Sequence, residues 1–144
     1  MKTVKQILDN KGYQVHSVTP ASTVYEALQK MAQEGIGALI VLDGEELAGI
    51  VSERDYARKI VLLGQRSADT PVKEIMTKNV ICVSSNHGLE ASLSIMSDKR
   101  VRHLVVRDDD RITGVISIGD VVKAIIEHQQ FTIEQLEHYI SGYS

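Results

Sequence analysis

Apolar and polar positions along the chain fall into the same order twice. Residues 15–18 read as a short strand that runs into a polar corner, Thr19-Pro20-Ala21-Ser22. Thr23 lies three residues before Glu26, the spacing of a capping box, and Val24, Ala27, Leu28 and Met31 share one helical face. Gly35 is a natural helix stop. Residues 36–42 are apolar and rich in branched side chains, the mark of a buried strand. A turn at Asp43-Gly44-Glu45-Glu46 leads into a third strand over 47–51. Ser52-Glu53-Arg54-Asp55 then opens a second helix that ends near Gly64.

A shift of 65 positions lays the second half on the first without a gap: Val15 on Val80, Leu28 on Leu93, Met31 on Met96, Gly49 on Gly114, Ser52 on Ser117, Asp55 on Asp120. A leader recurs at a shift of 68, Val4-Lys5-Gln6-Ile7-Leu8 against Val72-Lys73-Glu74-Ile75-Met76. The sequence therefore divides into a first repeat with its leader (1–64), a polar linker (65–71), a second repeat (72–127) and a tail (128–144). In the tail, Thr132 and Gln135 have capping-box spacing and Ile133, Leu136 and Ile140 form a narrow apolar stripe, which predicts a short C-terminal helix. One copy of about 50 residues buries too little surface to be comfortable alone. The expected fold is α/β, of the α+β kind: two βαββα repeats packed sheet to sheet about a pseudo-twofold axis, plus that helix.

Composition narrows the function. The 144 residues are 43% hydrophobic and 24% charged, a globular balance, and the longest apolar run, 38–42, is far short of a membrane span. No apolar signal segment follows Met1, so a cytoplasmic protein with no membrane partner is expected. The single cysteine, Cys82, excludes an intramolecular disulfide and reads as a small core residue in a strand. A net charge of −3 and an aromatic content of 4% make a nucleic-acid partner a poor fit. His16, His87, His128 and His138 show no metal-ligand spacing; Met31 and Met96 read as core. Asp108-Asp109-Asp110 reads as a turn with solvated charges. No Gly-Lys-Ser/Thr phosphate loop is present, so binding would not imply hydrolysis.

The chemistry concentrates in Gly49-Ile50-Val51-Ser52-Glu53-Arg54-Asp55 and its echo Gly114-Val115-Ile116-Ser117-Ile118-Gly119-Asp120. Each follows a predicted strand and opens a helix, where unpaired N–H groups favour an anion. A carboxylate can hold the vicinal hydroxyls of a ribose, and a neighbouring serine can add a contact. Ser-x-x-Asp is equally an N-terminal cap, and both roles can coexist. Lys99-Arg100-Val101-Arg102-His103 precedes the second core strand, whereas its counterpart, Glu34-Gly35-Ile36-Gly37-Ala38, has no positive charge. Arg100, Arg102 and Arg54 are candidates for charge-assisted bonds to phosphate; a solvated edge is the alternative. Tyr25, Tyr56, Tyr139 and Tyr143 are weaker candidates for stacking on a base.

The paired pattern of glycine, two apolar residues, Ser, two variable residues and Asp resembles the ribose-binding motif of cystathionine beta-synthase (CBS) domains. The tandem looks like a Bateman module over residues 4–126. The segment from Ser52 to Lys59, the run from Arg100 to Leu104 and the tail from Phe131 to Ile140 resemble stand-alone CBS-pair proteins. The resemblance implies a non-catalytic regulatory module. It would bind an adenine-containing ligand (AMP, ADP, ATP, NAD(H) or S-adenosylmethionine) in clefts between repeats, need no other cofactor, pair into a disc-shaped homodimer and signal to a regulated protein in trans. Carried over, Asp55 and Asp120 take the ribose and Ser52 and Ser117 line it. Thr19 and Ser84 lie near the ligand, and Ala38 and His103 are further candidate contacts to it. Ser84-Ser85 in place of Thr19-Pro20, and Val105-Val106 where Pro-Val is common, set the two sites apart. Rival readings are a nucleic-acid-associated regulator using Lys99, Arg100, Arg102 and Arg107, a small hydrolase or transferase using Asp55 or His103, and a ligand-free dimerisation module.

Overall fold

A computed structural model describes residues 2–142. Each repeat forms a three-stranded sheet. In the first, β1 (Ser17–Val18), β2 (Ala38–Asp43) and β3 (Glu46–Ser52) lie in the order β1-β2-β3, with β1 parallel and β3 antiparallel to β2. In the second, β4 (Cys82–Val83), β5 (His103–Asp108) and β6 (Arg111–Ser117) repeat that topology. Even the register shift recurs, at Val41/Leu42 and at Val106/Arg107. The helices are α1 (Val4–Lys11), α2 (Val24–Glu34), α3 (Glu53–Asp55, continued by a π-helical turn over Tyr56–Val61), α4 (Leu89–Lys99) and α5 (Ile118–Gly142).

Local chemistry explains the element ends. Thr23 and Glu26 close the expected capping box on α2, the Glu26 amide donating to Thr23 Oγ1 at 3.1 Å. Gly35 ends α2 in the left-handed region at φ 68°. The equivalent position after α4 is Arg100, at φ 56°. Both ends close alike, with Ile36 N–H on Met31 O and Val101 N–H on Met96 O, each 3.0 Å.

The compact units do not follow the sequence repeats. One unit is 15–81; the other joins 2–14 to the segment from 82 onwards. The leader of each copy therefore docks on the other copy, and it does so through equivalent bonds. Val72 N–H donates to Ser22 O (2.7 Å) and Lys73 N–H to Pro20 O (3.0 Å); Val4 N–H donates to His87 O and Lys5 N–H to Ser85 O, both 2.9 Å. The first amides of α2 and α4 are satisfied by carbonyls just ahead of the leaders, Val24 by Thr70 O at 2.8 Å and Leu89 by Lys2 O at 3.4 Å. The physical reason is that the leader's apolar residues complete a core the repeat lacks. In the first unit Val72 and Ile75 are buried with Val24, Ala27, Met31, Leu39, Val41, Val51 and Ile60. In the other, Val4, Ile7 and Leu8 are buried, as are Val83, Leu89, Met96, Leu104, Val106, Ile116 and Val121. Ser92, at the Ala27 position, is fully buried and returns its hydroxyl to Gly88 O at 2.9 Å.

Three expectations change. The strands at 15–18 and 80–83 are shorter, two residues each. The C-terminal helix is present but not separate: α5 runs unbroken for 25 residues, and Thr132, instead of capping a new start, donates to His128 O at 3.0 Å inside it. Cys82 is exposed rather than core, because alternation turns Val83 inward instead.

The leaders also explain the two motif glycines. A Cβ on Gly49 would lie 2.7 Å from Thr77 O and 2.9 Å from Met76 Sδ; one on Gly114 would lie 2.6 Å from Leu8 Cδ2. Met76 and Leu8 are leader equivalents. Gly49→Ala meets backbone and is expected to lower unfolding stability by about 1–3 kcal/mol. Gly114→Ala meets the end of a flexible side chain and should cost less. Urea midpoints of the two variants check this order.

Candidate functional site

The site of each repeat is built where the last strand hands over to the following helix. In the first, Ser52 N–H and Ser52 Oγ both donate to Asp55 Oδ2 at 3.0 Å, and Asp55 N–H donates to Ser52 Oγ at 3.2 Å. In the second, Ser117 N–H donates to Asp120 Oδ2 at 2.9 Å and Asp120 N–H to Ser117 Oγ at 3.0 Å. The capping role is thus present in both copies, and it engages Oδ2 while leaving Oδ1 outside the box. Cross-strand pairing sets Ala38 opposite Ser52 and His103 opposite Ser117. The preceding residues receive the helix starts: Glu53 N–H donates to Gly37 O at 3.1 Å and Ile118 N–H to Arg102 O at 2.8 Å. Ala38, Ser52, Arg54 and Asp55 are therefore gathered in one unit, and Arg102, His103, Ser117 and Asp120 in the other.

Within its own unit, neither Thr19 nor Ser84 joins these residues. β1 runs parallel to β2 with Val18 beside Val41, so Thr19 follows toward Leu42, about 13 Å along the strand from Ala38. The same register separates Ser84 from His103. Both hydroxyls tie their own corners, Thr19 Oγ1 to Ser22 Oγ at 2.9 Å and Ser84 Oγ to His87 Nδ1 at 3.2 Å. Arg100 is exposed and serves as the left-handed helix end. Among the tyrosines, Tyr56 packs on the core of its unit, Tyr25 and Tyr139 are exposed, and Tyr143 lies outside the described residues. Asp108 accepts the Ser85 amide at 2.9 Å, so it fastens the corner to the β5–β6 turn. Among the described residues no group of three or more His, Cys, Asp and Glu could hold a metal ion.

Lysines that sequence reasoning passed over complete each site. Lys11, at the end of α1, donates to Asp120 Oδ2 at 2.9 Å and to Val115 O at 3.1 Å. Lys59 lies 3.7 Å from Asp55 Oδ1 and donates to Ile75 O at 2.8 Å; Thr77 Oγ1 is 3.5 Å from Asp55 Oδ1. In each unit one lysine links leader, motif acid and neighbouring backbone. For Lys11 the sequence signal was the leader; for Lys59 it was the i,i+4 spacing from Asp55. Lys11 and Asp120 also line a cavity of about 240 Å³ with Ile7, Asn10, Lys123, Ala124 and Glu127.

Burial pushes the Asp120 carboxyl up, but the Ser117 amide and the Lys11 ammonium outweigh it and hold it below the usual carboxylate range. A folded-state pKa below the unfolded one adds stability at neutral pH that is lost as pH falls through the folded value. Lys11→Met removes one of the lowering influences. The Asp120 pKa should rise, the acid-side loss should begin at higher pH, and the cost at neutral pH should stay under about 1 kcal/mol because both side chains remain partly open to solvent. Carboxyl-carbon NMR titration with urea midpoints across the acid range reads both effects. Arg100→Gly relieves a left-handed non-glycine residue and is expected to stabilise by about 0.5–1 kcal/mol, read by the same midpoints.

These features define a paired-repeat module whose two capped strand-to-helix junctions each carry a serine and an acid. The CBS domain model matches residues 4–62 and 72–127, and the chain belongs to the CBS domain family as a tandem pair. It is 37% identical to the mitochondrial CBS domain-containing protein CBSX3 of Arabidopsis thaliana, over 97% of this chain and 72% of that one. It is 30% identical to the CBS domain-containing protein YhcV of Bacillus subtilis, over 82% and 84%. Among solved structures, a candidate signal-transduction protein with CBS domains from Burkholderia ambifaria is 47% identical, with a TM-score of 0.85 over 92% of this chain and 99% of that one. The hexameric CBS-CP12 protein of bloom-forming cyanobacteria is 26% identical, with a TM-score of 0.77 over 84% and 70%. No helix among the described residues is long and apolar enough to cross a membrane.

Proposed function

We propose that the protein is a non-catalytic regulatory module that binds an adenine nucleotide through the two Ser-x-x-Asp junctions and passes a conformational change to a partner protein. The observation that carries this reading is the geometry shared by Asp55 and Asp120. Each holds one carboxylate oxygen in the cap, so the acid is fixed in place, while Oδ1 lies outside the capping box. A fixed carboxylate can take both vicinal hydroxyls of a ribose without first being ordered. Beside Asp120, Lys11 and Lys123 on the cavity wall supply charge for a phosphate. At about 240 Å³ that cavity is smaller than the roughly 300–1,000 Å³ that encloses a whole small molecule. It suits a ribose phosphate, with the base resting outside. Family membership supports a regulatory role.

Signalling requires that the nucleotide bind two states of the protein with different affinity. The lysines supply that difference: a phosphate drawing Lys11 or Lys59 away from its carbonyl would loosen a leader from the junction it fastens. The ligand-free reading has its own support, since Lys11 already neutralises Asp120.

Calorimetric titration of ligand-stripped protein with AMP, ATP, NADH and S-adenosylmethionine is expected to give heat with at least one of them. Asp55→Asn and Asp120→Asn, which keep the cap shape but lose the charge, should each weaken binding at their own junction by about tenfold or more. Absence of heat with all four ligands overturns the nucleotide reading in favour of the ligand-free module.

A further inference from the structure

The two junctions are fastened to their leaders by different groups. At the first, the edge of β3 is bonded by backbone: Ile50 N–H donates to Thr77 O at 3.0 Å and Thr77 N–H to Ile50 O at 2.8 Å. Val115 is the repeat equivalent of Ile50, 65 positions on. There the carbonyl is met by a side chain instead. Lys11 Nζ donates to Val115 O at 3.1 Å and, from the same place, to Asp120 Oδ2 at 2.9 Å. The position matching Lys11 in the other leader, at the shift of 68, is Asn79. Asp55 does have a lysine nearby, but Lys59 comes from the motif helix and stands 3.7 Å from Oδ1, beyond hydrogen-bond distance. One junction is therefore fastened by amides that cannot leave unless the leader moves. The other is fastened by a rotatable ammonium whose side chain is 40% exposed.

We propose that Lys11 is a specificity-determining latch, which makes the Asp120 junction select nucleotides over nucleosides. The assignment rests on nucleotide binding at that junction. Before a ligand arrives, the ammonium holds the Asp120 oxygen that a ribose hydroxyl would take. Lys11 is also among the influences that keep this carboxyl below the usual carboxylate range, so the pair is felt by the acid. A nucleoside must share the carboxylate with Lys11 or leave the ammonium without a counter-ion, and it brings nothing negative in exchange. A nucleotide does. Its phosphate takes the ammonium, and Oδ2 is released to the sugar.

The charges lining the cavity make Lys11 decisive for that exchange. Lys11 and Lys123 stand there against Asp120 and Glu127. A phosphate without Lys11 would meet two carboxylates with Lys123 alone to offset them. The same residue thus opposes one ligand and favours the other. An ion pair that solvent reaches costs a competing hydroxyl about fivefold at most, whereas a charge-assisted bond to phosphate is worth about tenfold or more. At Asp55, Lys59 makes no hydrogen bond to the acid that a ribose would have to displace. Discrimination by this route belongs to the Asp120 junction.

Calorimetry of the full chain with AMP and with adenosine tests the latch, in an Asp55→Asn background that leaves the Asp120 junction to be read. Lys11→Met is expected to weaken AMP about tenfold or more and to tighten adenosine about twofold or more, so that the preference for AMP falls about 20-fold or more. Lys11→Arg, which keeps the charge, is expected to retain most of the preference. In an Asp120→Asn background, which reads the Asp55 junction, Lys11→Met is expected to leave the preference unchanged. The latch is overturned if Lys11→Met leaves the preference unchanged at the Asp120 junction, or weakens both ligands equally, which marks a merely structural lysine. It is also overturned, with nucleotide binding at Asp55 still standing, if AMP binds in the Asp120→Asn background alone. Absence of AMP binding in both backgrounds overturns the nucleotide reading itself, and the latch with it.

Discussion

Each repeat in this chain is an incomplete core closed by a strap of backbone that belongs, by sequence, to the other repeat. The strap brings two isoleucine- or valine-class side chains and a set of N–H and C=O groups that neither the sheet nor the helix can supply. Its bonds recur atom for atom in both units, from Val72 and Lys73 in one to Val4 and Lys5 in the other. The helix start and the motif glycine both take their form from that contact. A glycine is required at positions 49 and 114 because a leader residue lies where a Cβ would be.

The same contact reaches the chemistry. Serine and acid at each junction form a closed pair of hydrogen bonds that fixes the carboxylate, and a lysine then connects that carboxylate with the strap. The two units reach this end from opposite directions: Lys11 comes from the strap to the acid, whereas Lys59 comes from the motif helix to the strap. On the proposed reading, stability and ligand chemistry are carried by the same few atoms. A group that competes for the acid or the ammonium also acts on how firmly the strap is held.

Much of this was legible in the sequence. The strand-helix-strand-strand-helix order followed from hydrophobic periodicity and from capping residues such as Thr23 and Gly35, because those signals act within a few residues of where they are read. The Ser-x-x-Asp junctions were legible as caps for the same reason. What was not legible depends on contacts between segments far apart. Residues 4–8 resemble residues 72–76 closely enough to reveal a duplicated leader, but resemblance does not say which copy each will pack against. Parallel pairing of β1 with β2 carries Thr19 to the far end of the strand from Ala38, and no local pattern encodes that register. Thr132 looked like a helix start because its spacing to Gln135 is that of a capping box; the backbone before it stays helical, so the hydroxyl turns to His128 O instead.

The exchanged straps also impose an order on the birth of the molecule. The segment from 15 to 81 is contiguous and can close once its last residue has been made, whereas residues 2–14 belong to a unit whose remainder begins only at Cys82. During synthesis residues 2–14 must therefore wait, without the rest of their unit, until residues 15–81 have been made. A segment made before the contiguous unit finds its place after it.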